Sequence, residues 1–158
     1  MKDHAHVFLA QAARIAERTI RKNQGGPFGA VIAQGTRVIA AASNSVLASH
    51  DPTCHAEVNA IRAACEKLGT HLLTGLDIYS TTEPCPMCFS AIHWAQMKHV
   101  YYGTTIADVK KLGFNELTVS NVVLKKLGKS PVGLTRVSDP SCRALLKTWA
   151  SLPKAQVY

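Results

Sequence analysis

No apolar run in the sequence approaches the length needed to cross a bilayer. No hydrophobic segment follows the start Met1-Lys2-Asp3-His4-Ala5-His6, so no secretory signal is expected either. The default expectation is a cytoplasmic protein with no membrane association. An even cysteine set is also missing: there are five, at 54, 65, 85, 88 and 142. An odd count with one C-x-x-C pair argues against a disulfide framework and for thiols in a reducing compartment. Acidic residues are scarce, 10 against 18 basic ones, for a formal charge of +8. Nine basic and two acidic residues lie from Lys110 onward, so the excess is concentrated late. Such an excess allows a nucleic-acid partner. No Lys/Arg run is interleaved with aromatics, however, and a solvated basic surface is the plainer reading. Internal repeats, low-complexity tracts and linkers are absent as well. What remains is 158 residues with an ordinary 47% apolar content, read as one domain over 1–158 that can bury a core without staples.

Apolar periodicity predicts a first helix from a cap at Asp3 to about Lys22, with Phe8, Leu9, Ala12, Ala13, Ala16 and Ile20 on one face. Residues 28–33 and 37–41 read as two strands of a hairpin turning at Gln34-Gly35-Thr36. Gly25, Gly26 and Gly29 surround a proline without matching a phosphate-binding fingerprint. They are expected to let the backbone pass close to a ligand or a neighbouring element. A polar connection, 43–51, leads to a second helix from about Thr53 to a stop at Gly69. Strands follow at 76–81 and 99–103, with helices from about Cys85 and over 105–112. A short helix over 121–126, a fifth strand or arm over 132–137 and a last helix opened by Asp139-Pro140 complete the chain. Strands alternating with helices predict an α/β fold, a three-layer α/β/α sandwich around a mixed sheet of about five strands.

Two stretches carry the chemistry: Pro52-Thr53-Cys54-His55-Ala56-Glu57 and Glu83-Pro84-Cys85-Pro86-Met87-Cys88. One imidazole and two thiolates, His55, Cys85 and Cys88, suit a catalytic zinc whose fourth position is left for water. His55 and Glu57 are two apart and would point about 200° away from each other on a regular helix. They can serve one site only if it lies off the helix's N-terminal end. There Glu57 would be a proton carrier rather than a ligand. Cys85 and Cys88 would share the first turn of their helix, where orphan N–H groups favour thiolates. Bland alternatives exist. A C-x-x-C pair is also found in structural zinc knuckles and redox pairs. A knuckle needs a fourth protein ligand, and only Cys54 or a stray histidine is available; a redox pair leaves His-Ala-Glu unexplained. Cys65 and Cys142 read as small core residues, and Glu83 as a residue fixing the motif loop.

H-x-E followed by P-C-x-x-C is the signature of zinc deaminases, and the sequence resembles the cytidine-deaminase-like superfamily, within it the small bacterial guanine deaminases. The resemblance is carried by the two motifs, by Gly25-Gly26-Pro27-Phe28-Gly29-Ala30-Val31-Ile32, Asn44-Ser45-Val46 and Ala91-Ile92-His93-Trp94-Ala95, and by Gly113-Phe114-Asn115-Glu116 and the terminal Tyr158. It implies one zinc per chain and a purine substrate. It further implies that Phe28 stacks on the base, Asn44 hydrogen-bonds its edge, Trp94 walls the pocket and Glu116 accepts from a ring N–H or amine. In that family the C-terminal segment is swapped between two subunits. The resemblance therefore implies a homodimer in which residues from about 130 to 158 cross over and Tyr158 closes the partner's site. Cys54 departs from the small apolar residue usual at its position.

The expected activity is hydrolysis of guanine to xanthine and ammonia. The alternatives are guanosine or another amino-substituted ring, or the adenosine of a transfer RNA, for which the positive charge would be welcome. A non-catalytic zinc protein is a further class, and the intact Glu57 speaks against it.

Overall fold

The computed structural model describes residues 2–114, 132–155 and 157. Its frame is a five-stranded sheet in the order β2-β1-β3-β4-β5. The strands are β1 (Gly29–Gln34), β2 (Arg37–Ser43), β3 (Asp77–Thr82), β4 (His99–Thr104) and β5 (Gly133–Arg136). β1 pairs antiparallel with both β2 and β3, while β3–β4 and β4–β5 are parallel. The sheet is thus mixed, with the expected hairpin at one edge. A register shift at Ile32/Ala33 bends that hairpin.

β1 and β3 are buried along nearly their whole length, as strands covered on both faces must be. α1 (Lys2–Arg21) covers one face, placing Phe8, Leu9 and Ala12 against Val31, Ala33 and Tyr79. It packs alongside α6 (Pro140–Ala150). Gly29 lies so close to α1 that an added Cβ would strike the Ala12 carbonyl. α3 (Ala56–Leu68) and α4 (Pro86–Trp94) form the other layer, where Ala56, Ala60 and Ala64 meet Ile32, Ile78, Ile92 and Val100. Alanine along α3 lets the helix approach the sheet closely, so its first turn comes to rest over the central strands.

Several boundaries differ from the sequence reading. α1 begins at Lys2, so Asp3 is inside the helix rather than capping it. The connection over 43–51 contains a one-turn helix, α2 (Val46–Ser49), closed by His50 at φ +50°. α3 starts at Ala56, not near Thr53. The helix expected over 105–112 is the shorter α5 (Ile106–Lys110), held by a capping box between Thr105 and Asp108. The last helix, capped by Asp139 and opened by Pro140 as expected, ends at Ala150. The helix expected over 121–126 lies outside the described residues.

Candidate active site

The site forms where the N-termini of α3 and α4 meet over β3. His55 is the N-cap of α3, with extended backbone (φ −68°, ψ 156°), and Glu57 lies in the first helical turn. Because the N-cap residue leaves the helical path, the two side chains escape the divergence a regular helix would impose. Cys85 is likewise the N-cap of α4, Pro86 occupies the first turn, and Cys88 follows on the buried side. Two helix starts therefore deliver three donor atoms to one point, and the positive ends of both helix dipoles face it.

His55 Nδ1 lies 3.6 Å from Cys85 Sγ and 3.5 Å from Cys88 Sγ. A tetrahedral zinc with Zn–S about 2.3 Å and Zn–N about 2.0–2.1 Å sets its S···N edges at roughly 3.5–3.6 Å, so donor set and spacing both fit that ion. Among the described residues these three form the one cluster of His, Cys, Asp and Glu able to hold a metal. Cys54 stands apart from it. Its thiol donates to Asp51 Oδ2 at 3.3 Å and lies 3.5 Å from the Arg62 guanidinium. Between the two thiols, the hydrogen bond from Cys88 holds the Cys85 thiol down at about 4, helped by His55. The same bond, together with burial, pushes Cys88 up. The pair is thus drawn in opposite directions, Cys85 toward the thiolate that binds metal, and a dication would favour loss of the proton from Cys88 as well.

Glu57 is 6% exposed. Burial, reinforced by the charge of Cys85, raises its carboxyl above the ordinary 4.5. Ser80 Oγ donates to Glu57 Oε1 at 3.0 Å, while Glu57 Oε2 lies 3.5 Å from Cys88 Sγ. The carboxylate is therefore beside the donor cluster without being one of its three ligands.

Asn44 is fully buried, and its Oδ1 accepts from the backbone N–H groups of Gly26 and Val46, both at 3.2 Å. Its Nδ2 has no partner among the described residues. An unpaired buried donor is costly, and this one is fixed in orientation by the two bonds to its oxygen. A Cβ at Gly25 would overlap the Asn44 carbonyl and come within 2.6 Å of Oδ1, so the glycine is required by the close passage of the two segments. Phe28 is buried and makes an edge contact with Phe114 at 5.1 Å, and Phe114 in turn meets Trp149. Trp94 ends α4 with 84% of its surface exposed, and the described residues do not wall it into a pocket. Glu116 and Tyr158 lie outside the described residues.

Supporting residues emerge that the sequence did not single out. Asn59 on α3 donates to the carbonyls of Ser43 and Cys54 and to Ser45 Oγ, tying the loop before His55 to the segment of Asn44. Asp51 accepts from the Thr53 N–H and hydroxyl, both at 2.7 Å. Glu83 fixes its motif loop as expected: its N–H donates to the Thr104 carbonyl and its carboxylate accepts from Ile106 N–H.

Residues 2–104 match the family described as the cytidine and deoxycytidylate deaminase zinc-binding region. Over 151 residues the chain is 35% identical to a guanine deaminase of Bacillus subtilis, a match spanning 96% of this chain and 97% of that protein. The X-ray structure of guanine deaminase from Bacillus subtilis superposes with a TM-score of 0.69 at 35% identity, covering 96% of this chain and 97% of that one. A tRNA-specific adenosine deaminase of Agrobacterium fabrum is 42% identical over 103 residues, which are 65% of this chain and 66% of that protein.

Proposed function

The chain belongs to the cytidine and deoxycytidylate deaminase zinc-binding family, and from that premise we propose that it is a zinc-dependent hydrolase converting guanine and water to xanthine and ammonia. The observation that carries the choice of base is coverage. Similarity to a guanine deaminase runs over 96% of the chain, whereas that to a tRNA-specific adenosine deaminase stops at 65%.

His55, Cys85 and Cys88 would hold one zinc per chain. When bound, the ion supplies a water whose pKa is lowered toward neutrality. Glu57 moves the protons. It takes one from the water as the oxygen adds to the amine-bearing ring carbon and hands it to the neighbouring ring nitrogen. The second water proton leaves with the amine as the carbon–nitrogen bond breaks. A carboxyl raised above its ordinary range by burial is poised for both directions of transfer. The unpaired Nδ2 of Asn44 supports a base-edge contact, and it asks for an acceptor on the ring because the amide oxygen is already engaged. Phe28 stacks on the base and Glu116 accepts from its N–H or amine. The chain works as a homodimer in which the segment from about residue 130 is exchanged, the partner's copy taking the places on β4 and α1 that β5 and α6 of the single chain occupy, with Trp94 and the partner's tail walling the pocket and Tyr158 closing it. The exposed indole of Trp94 supports a cover from outside the single chain. A cytoplasmic setting accords with five free thiols. No helix among the described residues is long and apolar enough to cross a membrane.

The second reading, a transfer-RNA adenosine deaminase, is favoured by the higher local identity of 42% and by the charge of +8. Absorbance assays on guanine, guanosine, cytosine and a tRNA anticodon stem separate the two. Turnover of guanine well above the others is expected. Turnover of the anticodon adenosine with inert guanine overturns the reading.

A further inference from the structure

β3 is the central strand of the sheet, and its side chains alternate between the two layers. Ile78 belongs to the core under α3 and α4, Tyr79 to the core under α1. Ser80 therefore returns to the α3 side, in register with Ala30 on β1 and Tyr102 on β4. It is 1% exposed. A hydroxyl at so buried a central position is unfavourable unless bonded, and its bond goes to one atom, Glu57 Oε1, at 3.0 Å.

That bond makes the two carboxylate oxygens unequal. Oε1 is held by the rigid centre of the sheet, and Oε2 is left on the side of Cys88 and the donor cluster, 3.5 Å from its sulfur. Proton transfer between water and a ring nitrogen requires one oxygen to stay aimed along a short path. The carboxylate also accepts from the Glu57 N–H at the start of α3, but the terminal torsion of a glutamate is soft and roughly two-fold, so that bond alone does not choose which oxygen faces the donor cluster. We infer that Ser80 is a positioning residue of the hydrolysis: it anchors Oε1 so that Oε2 alone carries the proton. Backbone anchorage of α3 sets where Glu57 is, and Ser80 sets how its carboxylate is turned. The inference rests on Glu57 as the proton carrier.

The test uses the full-length, zinc-loaded protein with Ser80→Ala, Ser80→Thr and Glu57→Gln. Losing one hydrogen bond to a charged group predicts that kcat of Ser80→Ala falls by about 10- to 100-fold, with KM, zinc content and melting temperature close to the parent. Ser80→Thr keeps the hydroxyl and should regain most of the rate. A second readout does not depend on turnover. The carboxyl infrared band that disappears in Glu57→Gln should shift in Ser80→Ala and return toward its place in Ser80→Thr. A fully active Ser80→Ala with an unshifted band, beside an inactive Glu57→Gln, overturns the role of Ser80 alone. A loss confined to KM, or an equal loss in a folded Ser80→Thr, overturns it as well. A fully active Glu57→Gln would instead remove the proton-carrier reading itself.

Discussion

Replacing Glu57 by glutamine separates what this residue contributes to catalysis from what it contributes to folding. Glutamine keeps the shape, and both contacts can be re-formed. Ser80 Oγ can still donate to an amide oxygen at the position of Oε1, and an amide NH2 at the position of Oε2 can donate to the Cys88 sulfur. Zinc should stay at one per chain, because Glu57 is not among the three clustered ligands. Turnover should fall by roughly 10² to 10⁴, the contribution of general acid–base catalysis, or about 3–5.5 kcal/mol of barrier. Stability should move the other way. Burial raises the Glu57 carboxyl above 4.5 in the folded state, so the folded protein holds a proton that the unfolded chain releases. The contribution of Glu57 is then full below the unfolded value and is lost as pH rises through the folded one. Glutamine removes that dependence. The variant should unfold at the same temperature as the parent at pH 4 and at an equal or higher one at pH 8. Thermal unfolding at both pH values, zinc analysis and turnover on the same samples check this. A variant that keeps near-parental activity, or one that loses zinc, would refute the assignment of Glu57 as a proton carrier outside the ligand set.

Changing Cys88→Ala should remove zinc and turnover together, since two remaining donors leave the site without a complete ligand set; metal analysis after gel filtration reads it directly, and retained stoichiometric zinc would contradict the assignment. Gly25→Ala should displace Asn44, because its Cβ overlaps the Asn44 carbonyl. KM for the base should rise by about 10-fold or more, the scale of one lost hydrogen bond to the substrate, while zinc content is unchanged. Asp139 is buried, which opposes its charge, yet bonds from Ser141, from His6 at 2.8 Å and from the Cys142 N–H hold its carboxyl below the ordinary 3.8. Its contribution is present above that value and lost as pH falls through the lower folded one. Asp139→Ala, which uncaps α6, should cost about 1–2 kcal/mol at neutral pH and less in acid, as a denaturant titration at pH 7 and pH 3 would show.

The metal centre was legible in the sequence because each half of it is local. H-x-E and C-x-x-C each place their residues at one helix start, and the extended dihedral angles of His55 put its side chain off the end of α3, where the spacing from Glu57 required it; Cys85, expected inside the first turn of its helix, is instead the N-cap. The sheet was legible for the same reason, through short apolar strands and a helix with one apolar face. α2 escaped because a four-residue helix has no periodicity to read, and its left-handed terminus falls on histidine rather than glycine. Ser80 escaped because a lone serine in a strand pattern carries no signal. Its meaning comes from a partner 23 positions away, brought to it by the docking of α3 on the sheet. Asn59 is similar: on α3 it reads as a polar surface position, and only the fold shows that it ties two loops together. The locked amide of Asn44 depends on the passage of Gly25 and Gly26 beside it, a contact the glycine cluster suggested without naming its partner.

With zinc at His55, Cys85 and Cys88, this chain should remove the amine of guanine. The most direct measurement follows guanine loss, xanthine formation and ammonia release on one purified sample. The sample is taken as isolated, after zinc is stripped by a chelator, and after one equivalent is returned. The expected result is one ammonia per xanthine, loss of turnover with the metal, and recovery that saturates at one zinc per chain. Ammonia-free incubation of guanine with the fully zinc-loaded protein, or turnover undiminished by stripping the metal, would contradict it.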